Sequence, residues 1–138
     1  TEYLMVYRKQ TEKLLDWNIK QYSWQTVKES KVANGYETSN VWRIDPKFDK
    51  VHSAVFPVEL CKRIVEYYSF KGDLVFDPFG GSGTLGRTAK SLGRLFFLTE
   101  VDEKYFEYMK SFMRNNTLFD ERVTKFLSLS DFIKSIKQ

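Results

Sequence analysis

The clearest periodic pattern in the chain lies between Val58 and Tyr68. Val58, Leu60, Cys61, Ile64, Val65 and Tyr68 form one stripe of a helix, and Pro57 opens it because its missing N–H is not needed in a first turn. Lys71-Gly72-Asp73 ends that pattern and leads into Leu74-Val75-Phe76, a short apolar run that reads as a buried strand. A helix from Thr84 to Leu92 follows and stops near Gly93, then a second strand from Leu95 to Leu98, then a helix from Asp102 to Arg114. In the last of these, Tyr105, Met109 and Phe112 recur at i, i+4 and i+7, the spacing of a core face. Strand, helix and strand joined by short turns imply a right-handed parallel crossover. Upstream, Glu2 to Lys9 reads as a strand around Leu4 and Met5. The tail from Val123 to Lys137 predicts one more short helix with Phe132, Ile133 and Ile136 turned inward. The fold class is therefore α/β, with parallel strands, crossover helices and an irregular insert.

That insert, residues 10–50, is where the pattern fails. Trp17, Tyr22, Trp24, Tyr36, Trp42 and Phe48 follow neither a helical nor a strand period, and Gly35 and Thr38-Ser39-Asn40 mark turns. From Arg8 to Lys50 there are nine Lys/Arg against six Asp/Glu. Such a segment fits base reading, with lysines on phosphates and aromatics stacking, as well as it fits a solvated insert whose aromatics anchor it to the core.

Composition narrows the classes. The chain has 138 residues, 42% of them hydrophobic and 17% aromatic, enough for one folded domain. A net charge of +4 and a pI near 9.1 allow attraction to phosphate without demanding it. The single Cys61 excludes an internal disulfide and sits in a helical stripe as core filler. His52 is the only histidine, so no histidine-based metal cluster can form. No apolar run reaches membrane-spanning length and no signal peptide is visible, which predicts a cytoplasmic protein with no membrane partner.

Candidate chemistry sits at the exit of the first strand. Asp77-Pro78-Phe79-Gly80-Gly81-Ser82-Gly83-Thr84 ends a strand on a carboxylate and passes through glycines into a helix. Glycine lets a backbone approach a ligand closely, and a helix start favours an anion. Gly81 to Gly86 also fits the dinucleotide pattern GxGxxG, with Glu100 about twenty residues on. Asp77, however, would place a negative charge where a pyrophosphate belongs. No Gly-Lys-Ser/Thr follows, so a nucleotide triphosphate loop is excluded. S-adenosylmethionine suits the charges better: its sulfonium and ammonium favour Asp77, its carboxylate favours the helix start, and its ribose diol favours Glu100.

His52-Ser53-Ala54-Val55-Phe56-Pro57, then Asp77-Pro78-Phe79-Gly80-Gly81-Ser82-Gly83-Thr84, then Phe96-Phe97-Leu98-Thr99-Glu100-Val101-Asp102 with Tyr105, occur in that order. Together these segments resemble the C-terminal part of β-class DNA amino-methyltransferases, which modify N6 of adenine or N4 of cytosine. Ser53 stands for the family's usual proline, and Thr99 interrupts its usual small apolar run. The resemblance spans about Glu2 to Arg114. It implies a partial Rossmann-like class I methyltransferase sheet: 1–9 as a core strand, 10–50 as a target-recognition segment, and 51–138 as the cofactor-binding core with its helical tail.

It also implies S-adenosylmethionine contacts from Ser53, Phe56, Asp77, Pro78, Phe79, Gly81, Ser82, Gly83, Thr84, Glu100 and Val101. Val101 fits the adenine ring and a core position about equally, Asp102 reads as a cap on the next helix, and His52 reads as structural. The family's catalytic Asp/Asn/Ser-Pro-Pro-Tyr/Phe tetrapeptide is missing, since Pro46, Pro57 and Pro78 are the chain's prolines and none are adjacent. The expectation is a C-terminal piece or split subunit, inactive alone, whose partners are double-stranded DNA and a catalytic segment or companion chain. A homodimer is also compatible. The alternatives are an RNA-directed relative and a non-catalytic module that binds cofactor or DNA and regulates or completes a separate catalytic chain.

Overall fold

A computed structural model describes residues 3–7, 19–32, 35, 37, 39–46, 56–113 and 124–137. Their elements are α1 (Trp24–Glu29), α2 (Val58–Tyr68), β1 (Leu74–Asp77), α3 (Thr84–Ser91), β2 (Leu95–Leu98), α4 (Glu103–Met113) and α5 (Leu129–Ser135). β1 and β2 pair in parallel, with Leu74 opposite Leu95 and Asp77 opposite Leu98, and α3 joins them.

Alternation sorts the strand residues onto two faces. Phe96 and Leu98 face α3, which comes so close that a Cβ on Gly86 would lie 2.6 Å from Leu98 Cδ1 and 3.1 Å from Phe96 Cδ2. α2 packs beside α3. On the other face Phe76 and Phe97 stack with centroids 5.5 Å apart, and Phe132 of α5 tilts onto Phe97 at 5.3 Å. The buried apolar core is Cys61 and Val65 from α2, Ala89 from α3, and Met109 and Met113 from α4. Thus only the middle of the α2 stripe is buried, and its ends, Val58 and Tyr68, are exposed. Arg94, 3% exposed, ties the end of α2 to the start of β2 by donating to the Ser69 carbonyl at 2.6 Å and the Leu92 carbonyl at 2.7 Å.

Four sequence expectations change. Strand β1 is not a buried strand, since Leu74 and Phe76 are exposed. Residues 3–7 form no strand and are exposed, because no described strand lies beside them to pair with. The insert contains a helix, α1, which its scattered aromatics do not advertise. Ser23 caps it by accepting the Thr26 N–H at 3.0 Å. Long-range contacts hold it at the entry of β1: Tyr22 donates its hydroxyl to Asp73 at 2.7 Å, its ring lies 4.3 Å from that of Phe70, and Ser30 Oγ accepts the Lys71 N–H at 2.9 Å. In α5, Phe132 is half-buried as expected, its ring set against Phe97 of the sheet, while Ile133 and Ile136 are exposed. Among the described residues no helix is long and apolar enough to cross a membrane.

Candidate functional site

The exit ends of β1 and β2 are joined by a dense set of hydrogen bonds. Asp77 Oδ1 accepts the Phe79 N–H at 2.9 Å, and the Asp77 carbonyl accepts the Thr99 N–H at 3.0 Å. The Thr99 carbonyl accepts the Gly80 N–H at 2.8 Å, and the Thr99 hydroxyl donates to the Pro78 carbonyl at 2.7 Å. Gly80 in turn accepts the Gly83 N–H at 2.7 Å. Gly81 and Gly83 hold φ of +51° and +76°, a region that a Cβ disfavours.

Glu100 closes the arrangement. Its Oε2 accepts the Gly81 N–H at 2.7 Å, while Oε1 accepts those of Val101 at 2.9 Å and Asp102 at 2.8 Å. One carboxylate thereby pins the glycine loop to the end of β2. Asp102 then caps α4, its Oδ1 accepting the Lys104 N–H at 2.8 Å, as the sequence suggests.

The side chains divide into buried and exposed groups. Ser82 and Thr84 are buried with their hydroxyls 3.0 Å apart, so these side chains are engaged within the loop. Gly83 starts the eight-residue α3 in the left-handed region and makes no side-chain capping hydrogen bond. Phe79 is 86% exposed and Val101 fully exposed, one at each strand exit. Phe56 is 59% exposed beside the start of α2. Ser53 and His52 lie outside the described residues. Sequence reasoning marks Thr99 only as a departure from a pattern, although a hydroxyl beside a glycine loop is its visible signal.

Two other features are not this site. Burial, with the nearby Asp77 charge adding to it, pushes the Cys61 thiol up to about 11, so it is an inert core group. A cleft of about 380 Å³ is lined by Glu29, Lys31, Lys71, Gly93 and Arg94 at the entry end of the strands, away from the glycine loop. Among the described residues no group of His, Cys, Asp and Glu could hold a metal ion.

A loop–helix constellation at the carboxyl ends of parallel strands is where open α/β sheets take ligands. The family model described as DNA methylase matches residues 1–111. The chain belongs to the N6/N4 DNA methylase family. Among its relatives, the type II methyltransferase M.Cfr9I of Citrobacter freundii is 35% identical over 86 residues, covering 61% of this chain and 29% of the relative. The orphan methyltransferase M.BamHII of Bacillus amyloliquefaciens is 33% identical over 92 residues, covering 61% and 35%. The chain thus spans about a third of the length of these relatives. Among solved structures, TTHA0409 of Thermus thermophilus, described as a DNA modification methylase, is 28% identical with a TM-score of 0.54, over 83% of this chain and 42% of that one. The same protein has been solved in complex with S-adenosyl-L-methionine, with a TM-score of 0.51 to this chain at 28% identity, over 80% of this chain and 39% of that one. These likenesses agree with the partial Rossmann-like α/β fold expected from the sequence.

Proposed function

We propose that this chain is the S-adenosylmethionine-binding part of a DNA methyltransferase acting on an exocyclic amino nitrogen of adenine or cytosine. The observation that carries the reading is the pairing of two carboxylates, Asp77 and Glu100, at adjacent strand exits, with a glycine loop and an uncapped helix start between them. The group supplies an electrophilic methyl on a sulfonium, and the protein's work is positioning.

The residues fit that group. Asp77 is half-exposed and favours the cationic sulfonium and ammonium, whereas a dinucleotide pyrophosphate would be repelled. The α3 start favours the α-carboxylate. Glu100 Oε2 accepts one N–H and keeps acceptor capacity for a ribose hydroxyl. Phe79 and Val101 offer exposed apolar surface to the adenine, and Phe56 offers it to the methionine end. The backbone of Pro78, Gly81, Ser82, Gly83 and Thr84 shapes the cradle, and Ser53 is assigned to the same cradle by its place in the motif.

Double-stranded DNA is the substrate of this reading. Within the 10–50 segment Trp42 serves as an anchor, edge-on to Tyr67 at 5.3 Å with the Arg63 guanidinium 5.7 Å from its ring. Trp24 remains 75% exposed with Lys31 Nζ 6.0 Å from its ring, a combination suited to DNA contact. Without adjacent prolines in the chain, the base-handling tetrapeptide comes from a further segment or a companion chain, and this chain alone transfers no methyl group.

Calorimetric titration with S-adenosylmethionine, with NAD as control, tests the cofactor assignment. Saturable binding of the first and not the second is expected. Asp77→Asn keeps the oxygen that caps Phe79 but removes the charge, and should weaken binding about tenfold, the factor set by some 1.4 kcal/mol of lost attraction, at an unchanged melting temperature. Equal affinity in that variant would overturn the charge argument. Methyl transfer to DNA by the purified chain alone would overturn the assignment of a separate catalytic segment.

A further inference from the structure

Pro78 has a φ fixed by its ring, so the aim of Phe79 depends chiefly on the orientation of the peptide plane that joins the two. That plane is held at both edges. Its N–H, belonging to Phe79, donates to Asp77 Oδ1 at 2.9 Å, and its carbonyl, belonging to Pro78, accepts the Thr99 hydroxyl at 2.7 Å. The bonds to Asp77 and Gly80 use the backbone of position 99 and need no particular side chain beyond a non-proline residue, whereas the bond to Pro78 comes from the Thr99 hydroxyl. Of the four residues Asp77 to Gly80, three are thus tied to Thr99, and the fourth, Phe79, projects with 86% of its surface exposed. An exposed aromatic on a doubly pinned peptide is a pre-aimed contact, since orienting it before binding removes an ordering cost from the encounter.

We propose that Thr99 is a positioning residue of the methyl-donor site, acting with the Asp77 carboxylate to fix the Pro78–Phe79 peptide and so to present Phe79 to the ligand. This rests on the cofactor reading above, but its first test needs no ligand. In the free chain, the Phe79 amide should be ordered and slow to exchange by nuclear magnetic resonance. Thr99→Val, nearly isosteric, should make it exchange several-fold faster, and Thr99→Ser should restore the native rate. The melting temperature should hardly move, because water can replace the hydroxyl at an exposed carbonyl.

With S-adenosylmethionine, Thr99→Val should raise Kd about three- to tenfold, the range expected for one hydrogen bond. Thr99→Ser should bind as the native chain does, and in a Phe79→Ala background Thr99→Val should cost nothing further. An unchanged Phe79 amide in Thr99→Val overturns the proposal whatever the ligand does. An equal loss of affinity with and without the Phe79 ring overturns the assignment of that ring as the element presented. Failure of the native chain to bind the methyl donor overturns the cofactor reading instead, and the amide measurement then judges Thr99 by itself.

Discussion

Gly83 and Gly72 hold nearly the same backbone conformation, with φ of +76° and +88°, but live in different surroundings. A Cβ on Gly72 would meet nothing within 4 Å, whereas one on Gly83 would lie 2.7 Å from Met109 Cγ and 2.8 Å from Met113 Cε. Replacing each with alanine therefore separates conformational strain from overlap. An L-residue in the left-handed region costs about 1–2 kcal/mol. Alanine returns about 0.4–1 kcal/mol by restricting the unfolded chain. Gly72→Ala should thus cost at most about 1.6 kcal/mol net.

Gly83→Ala carries the same strain plus overlap with two buried methionines, and overpacking costs about 1–3 kcal/mol. Met113 can swing its terminal methyl aside, but the Met109 contact is at mid-chain and calls for a new rotamer or a shift of α4. The two variants should therefore differ by about 1–3 kcal/mol, read from urea unfolding followed by circular dichroism as separate midpoints at a common slope. Equal midpoints would refute the claim that α4 packs directly on the loop at Gly83.

Other outcomes follow from single contacts. Glu100→Gln puts an amide where carboxylate oxygens now accept three N–H groups, so it should free the Gly81 loop, cost about 1–3 kcal/mol and abolish methyl-donor binding; retained binding in calorimetry would contradict it. Tyr22→Phe should cost about 1 kcal/mol by deleting the bond to Asp73. That hydrogen bond raises the Tyr22 pKa, helped by burial and by the Asp73 charge, so the contribution is full below pH 10 and is lost as pH rises through the folded value. The gap between native and variant stability should hold from pH 7 to 9 and close above 10. Cys61, with its thiol near 11, should have about one thiolate in a thousand at pH 8 and react with a disulfide reagent only after urea unfolding; fast reaction in the folded state would show that it is not buried.

Local physics made much of this legible in the sequence. Helix α2 and strand β2 lie where periodicity and apolar runs predict, and Asp102 caps α4 as its position suggests. The carboxylate and glycine loop also stand at the strand exits, because a strand–turn–helix reading fixes that place without knowledge of the rest. What escaped depends on distant contacts. Helix α1 has six residues and no apolar stripe, and is kept by Tyr22 on Asp73 and Ser30 on Lys71, partners 51 and 41 positions away. Strand character in residues 3–7 likewise has no meaning without a neighbour to accept their hydrogen bonds. The role of Thr99 depends on Pro78, 21 positions earlier, which no local pattern reveals.

The same contacts explain why Glu100 should matter twice. A carboxylate at a strand exit could serve a ligand from a flexible position, but here three backbone N–H groups already orient it. Those bonds hold its charge in place and link the exit of β2 to the loop leaving β1. The loop in turn depends on Gly83, whose missing side chain lets α4 pack close. A perturbation at any of these points should reach the others through this chain of direct contacts, while the sheet below keeps its register. The exposed Phe79 and Val101 sit at the two ends of that linked arc. Their separation is therefore set by Glu100 and Thr99 together, which makes the spacing of the two apolar surfaces a property of the fold that exists before any ligand arrives.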